Sequence, residues 1–132
     1  MITSEYQSVT ASSGGVSLTG LPQQEILLGQ LDELYQFRNH DEVKDYLRRH
    51  DYVVNVLVEA PERIKSRFGR DTQVALEVIT DPEDGDRKLF AFVLTPLAAP
   101  EAMAQLEQLD EEWWFDASER AEGQLIVDVE FI

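Results

Sequence analysis

The segment Asp110-Glu111-Glu112-Trp113-Trp114-Phe115-Asp116 sets four carboxylates around both tryptophans of the chain. Large apolar rings and unpaired charges ask for opposite environments, so this stretch belongs where core meets solvent. Two kinds of chemistry fit it. A carboxyl against an indole wall has its pKa raised while a wetter neighbour stays ionised, and such a pair can serve as acid and base. That reading makes the protein a small hydrolase or isomerase using Glu111, Glu112 or Asp116 near Trp113. The other reading is a partner-binding surface formed by Asp110, Glu111, Glu112, Trp114 and Asp116, since an exposed tryptophan at a charged rim is a typical interface anchor. No third polar group at matching spacing accompanies the carboxylates, which favours the binding surface.

The remaining chemistry-bearing residues are poorly placed for catalysis. His40-Asp41 and His50-Asp51 look like metal-binding pairs, but a metal needs three or more converging ligands. These pairs stand at opposite ends of one short helix and point apart, and capping accounts for them better. Asp81, Glu83, Asp84 and Asp86 have the carboxylate density of a calcium loop. Glycine, however, falls at position five rather than six, and Leu89 and Ala91 occupy the far end, so a solvated turn is expected. There is no G-x-S-x-G elbow, and Gly14-Gly15 lacks the lysine and hydroxyl of a phosphate loop. No catalytic residue, metal or cofactor is therefore expected. Arg63, Lys65, Arg67 and Arg70 form a basic strip near Arg48 and Arg49. Glu59, Glu62 and Asp71 interleave it, which reads as helix ion pairing more than a phosphate track.

Charge points the same way. The formal net charge is -15, and residues 67 to 132 hold 16 acids against 5 bases, a net of -11. Such a field repels phosphate backbones and anionic lipid surfaces, so neither nucleic acid nor membrane is an expected partner, and a basic protein is. Cysteine is absent, which removes disulfides, thiolate metal sites and thiol nucleophiles. The start Met1-Ile2-Thr3-Ser4-Glu5 lacks a basic run, and no segment has the apolar length of a membrane span, so a cytoplasmic location is the default expectation.

The elements that must position the tryptophan segment follow from periodicity. A chain of 132 residues supports one core. Residues 1–24, rich in Ser, Thr, Gly and Gln, read as a flexible or weakly structured arm, and residues 25–132 as a single α+β domain. A helix can begin around Ile26, Leu27, Leu28 and Leu31. Asn39 and Glu42 have capping-box spacing ahead of a helix from about His40 to Arg49. The run Tyr52 to Glu59 is open to strand or helix. Val53, Leu57, Ala60, Ile64 and Phe68 share one helical stripe reaching Gly69, which favours a helix kinked or restarted at Pro61.

Val74, Leu76 and Val78 alternate, turn residues follow from Asp81 to Asp86, and Phe90, Phe92 and Leu94 alternate again, which makes a β-hairpin. A helix from Pro100 carries Ala102, Met103, Leu106, Leu109 and Trp113 on a stripe, with Trp114 about 100° away. Leu125, Val127, Val129 and Phe131 form a last strand. The expected fold is α+β: N-terminal helices, then ββαβ with a three-stranded antiparallel sheet in the order 2-1-3 packed on helices. Its second face would carry Ala75, Ile79, Leu89, Ala91, Val93 and Ile126. That is apolar enough to mark a surface for a homodimer or another partner, unless the N-terminal segment folds across it.

Leu34-Tyr35-Gln36-Phe37-Arg38, Leu76-Glu77-Val78-Ile79-Thr80-Asp81-Pro82-Glu83 and Leu109-Asp110-Glu111-Glu112-Trp113-Trp114 together resemble a group of small uncharacterised bacterial proteins. The likeness covers about residues 31 to 132. It implies a stand-alone bacterial domain and no particular activity. The reading reached here is a non-enzymatic, acidic protein–protein interaction module, an inhibitor, antitoxin-like partner or adaptor, that binds a basic protein.

Overall fold

The computed structural model describes residues 22–132. The arm expected at residues 1–24 lies almost wholly outside them. The chain divides into two compact units, residues 1–30 and residues 31–132. Helix α1 spans Pro22–Leu34. Its last turn opens the second unit, which continues with β1 (Gln36–Phe37), α2 (His40–Arg49), α3 (Asp51–Phe68), β2 (Gln73–Thr80), β3 (Arg87–Thr95), α4 (Ala99–Leu109), α5 (Phe115–Arg120) and β4 (Leu125–Phe131).

The stretch Tyr52 to Glu59 is helical, as its long stripe requires: Val53, Val56, Leu57 and Ile64 are fully buried along α3. Helix α3 runs through Pro61, and the reason is visible one turn back. Proline has no N–H to give the carbonyl four residues earlier. The Tyr35 hydroxyl donates to that Leu57 carbonyl instead, at 2.6 Å. Gly69 then ends the helix at φ 116°, a conformation that favours glycine. The capping box before α2 is rearranged: Asn39 is left-handed, gives no side-chain bond to the backbone, and its amide donates to Glu42 at 3.1 Å.

The sheet differs from the sequence-based expectation in strand number, order and direction. It has four strands in the order β1-β2-β3-β4, with β1 parallel to β2, β2 antiparallel to β3, and β3 parallel to β4. The three-stranded antiparallel 2-1-3 arrangement is therefore wrong. The helical segment after β3 returns the chain beside β3 itself, the usual way to make a parallel pair. The edge of β2 reserved for the last strand is taken by Gln36–Phe37, too short to carry a periodic signal.

The two faces were also mixed. Thr80 opposes Arg87, so even-numbered residues of β2 stand opposite odd-numbered residues of β3. Val74, Leu76 and Val78 therefore share a face with Val93, Ala91 and Leu89, and that face continues into Val129, Val127 and Leu125. This is the core face: α2 packs on β2, α4 on β4, and α3 lies against α2, α4 and α5. Phe90, Phe92 and Leu94 lie on the other face with Ala75, Ile79 and Ile126. A one-residue difference in register exchanges every side chain between faces, and loop length decides it.

Candidate interaction site

The tryptophan segment is where the C-terminal helix changes pitch. Between α4 and α5 the residues Asp110–Trp114 form a single π-helical turn, closed by the Phe115 N–H on the Asp110 carbonyl. Such a turn absorbs one extra residue without breaking the helix and is often found at functional positions. The two indoles leave the turn about a quarter-turn apart, as neighbours on a helix do, with ring centroids 5.7 Å from each other. Trp113 is buried, 6% exposed, on the side that holds Ala102, Leu109, Ala117 and Ala121. Trp114 is half-buried and lines a groove.

Two side chains of α3 clamp this turn. The Trp113 indole N–H donates to Glu59 Oε1 at 3.2 Å, and Arg120 makes a two-pronged pair with the same carboxylate at 2.7 and 2.9 Å. These bonds, Arg120 first and Trp113 second, stabilise the ionised carboxylate and hold the Glu59 pKa down to about 2. Two turns along α3, Arg67 Nε donates to Glu112 at 2.9 Å. The basic strip is thus partly spent on the acidic segment, an ion pairing legible in kind from the sequence but not in partner.

The groove has a volume of about 500 Å³ and lies between α4 and the strand β4. Its apolar walls include Met103, Leu106, Trp114 and Val127, with Glu107 and Asp110 as the acidic members. Met103 is 49% exposed and adds apolar surface at the groove. Of the residues singled out from sequence, Asp110 and Trp114 line this groove. Glu112 is held by Arg67, while Glu111 and Asp116 are exposed and do not line it. Glu107, Met103 and Val127 belong to the groove and were not anticipated. Periodicity places Val127 in a strand and Met103 on the apolar stripe of its helix, and neither signal marks a groove.

The two histidine pairs make separate local contacts, and the expected capping is not seen: no side chain caps the start of α2 or α3. His40 Nε2 is 2.8 Å from Asp32 and its ring lies against Phe37, while His50 stacks on Tyr46 and its Nδ1 contacts the Tyr46 carbonyl at 2.9 Å. The Asp81–Asp86 loop turns its carboxylates on itself: Asp81 accepts from the Glu83 N–H and Asp84 from the Asp86 N–H, both at 2.8 Å. Among the described residues no group of three His, Asp or Glu side chains could hold a metal ion. No helix among them is long and apolar enough to cross a membrane.

The second sheet face carries its own cluster. Arg38, just past β1, forms a two-pronged pair with Glu130 at 2.8 and 2.7 Å, reaches Glu77 at 3.3 Å, and lies over the Phe92 ring at 5.6 Å. Phe90 stacks on Phe92 at 5.5 Å. The expected face residues Leu89, Ala91 and Val93 are in the core instead, and the two phenylalanines take their place.

No family model, curated protein or solved structure matches the chain. What the site can do rests on its geometry.

Proposed function

We propose that this protein is a non-enzymatic interaction module that receives a basic protein segment in the groove between α4 and β4. The observation that carries the reading is the groove's composition: Met103, Leu106 and Trp114 supply an apolar floor, and Glu107 and Asp110 supply negative charge beside it. Apolar anchors ringed by charge give affinity, and the net charge of -15 speeds encounter with a cationic partner. Trp114 lines the groove while Trp113 anchors the turn to α3, an arrangement that supports this reading. Catalysis by carboxylates near Trp113 draws less support, because Glu112 is engaged by Arg67 and Glu111 and Asp116 stand away from the groove.

The test is affinity capture from native lysate with wild type, Trp114→Ala and Glu107→Lys/Asp110→Lys protein at low and high salt. The expected result is a basic protein retained by wild type at low salt, released as salt screens the pair, and lost from both variants. Equal retention by all three proteins, or by none, would overturn the proposal.

A further inference from the structure

The groove meets a sheet edge at Val127, and among the described residues that edge has backbone groups outside any ladder. Leu89 N–H bonds the Gln124 carbonyl, and Ile132 N–H bonds the Thr95 carbonyl, both at 3.0 Å. Successive residues of a strand turn their N–H and C=O groups to opposite sides, so residues 124, 126, 128, 130 and 132 serve the ladder with β3. The backbone groups of Leu125, Val127 and Val129 therefore point outward, and among the described residues β4 has no second neighbour. At one of these positions the protein supplies its own stand-in: Asp128 Oδ1 accepts from the Val129 N–H at 2.8 Å, where an added strand would place a carbonyl. A charge of that kind on an edge strand blocks casual pairing.

We infer that the basic segment binds as an extended strand added to the free edge of β4, with apolar residues alternating with Lys or Arg. The inference rests on the groove reading above and specifies the form of its occupant. Side chains of an added strand alternate between the two faces of the sheet. Those on the helix side meet Val127, Leu106 and Trp114. Those on the other side meet Ile126, the exposed Asp128 and Glu130, which Arg38 already pairs. The helix side is apolar, and the other side offers Asp128 as its unpaired acid among the described residues, so the complementary strand alternates apolar residues with lysine or arginine and sets a basic residue opposite Asp128. The edge strand Leu125–Phe131 is seven residues long, which sets the length of the added strand. Incoming lysine would draw Asp128 off the Val129 N–H and free that donor for the partner's carbonyl.

The probe is a fluorescent seven-residue peptide of alternating valine and lysine, compared with two versions N-methylated at odd or at even amides and with a valine–glutamate version. Binding is read by anisotropy on the full chain, and amide-resolved hydrogen exchange by NMR reports the edge. The expected result is saturable binding of the unmodified peptide, slowed exchange at Leu125 and Val127, and a loss of about tenfold or more in affinity for one methylated version and for the glutamate version. Val129→Pro protein, compared with wild type at a temperature where circular dichroism shows both folded, should bind the peptide about tenfold more weakly, because the ladder to β3 does not use that N–H. Equal binding by both methylated peptides, with exchange at the edge unchanged, would overturn strand addition and leave groove docking standing. Failure of the unmodified peptide alongside Trp114-dependent capture of a basic protein would do the same. Failure of both assays would remove the groove reading as well.

Discussion

The bond from Tyr35 to Leu57 can be tested directly, because Pro61 creates the need that Tyr35 fills. Leu57 is fully buried and Tyr35 is 4% exposed. Removing the hydroxyl in Tyr35→Phe keeps the ring's packing but leaves the Leu57 carbonyl without a donor from either Tyr35 or residue 61. A buried carbonyl stripped of its partner costs about 1 to 3 kcal/mol, so a loss near 2 kcal/mol is expected. For a unit of this size that corresponds to a drop in melting temperature of about 8 °C. In a Pro61→Ala background, residue 61 regains an N–H that can reach the same carbonyl. There Tyr35→Phe should cost about 1 kcal/mol or less, a coupling of about 1 kcal/mol between the two positions. The four proteins of the cycle are compared by urea denaturation with a common m-value. Pro61→Ala also alters the unfolded chain, but that contribution cancels in the cycle. Equal losses in both backgrounds would refute the compensation. Burial also pushes the Tyr35 hydroxyl pKa well above its ordinary value. A raised folded pKa leaves stability intact below pH 10 and erodes it as the unfolded chain ionises above that, so Tyr35→Phe should flatten the alkaline loss.

Trp113→Ala should lose about 3 to 5 kcal/mol in chemical denaturation by leaving a cavity against α3, whereas half-buried Trp114→Ala should lose clearly less and act mainly on partner binding; equal losses would make both rings structural. Glu59 has a depressed pKa in the folded protein, so its contribution is present above about pH 4.5 and fades as pH falls towards 2. Because the pair is solvent-exposed, that contribution is about 1 kcal/mol or less, and Glu59→Gln should remove it from an acid titration of stability. Gly69→Ala forces a side chain into φ 116° and should destabilise by about 1 to 3 kcal/mol, read from the urea midpoint.

What the sequence determines by itself is local. Stripe spacing places α2, α3 and α4, and alternation with turn residues places the hairpin, because period and turn chemistry act over a few residues. The burial of Trp113 and the separate direction of Trp114 follow from the same spacing. The clash of indole and carboxylate rightly pointed to a boundary, although a π turn between Asp110 and Trp114 has no periodic signature of its own. The long-range features needed the folded chain. Whether Phe90 or Leu89 enters the core depends on which residues close the hairpin at Thr80 and Arg87. Whether Leu125–Phe131 lies beside β2 or β3 depends on the competing pair Gln36–Phe37, two residues long. Arg67 meets Glu112, and Glu59 meets Arg120, across 45 and 61 positions of chain. The groove exists because α4 and the free edge of β4 come side by side. Pairing between distant segments is set by packing summed over the whole molecule, and no window of sequence contains that sum.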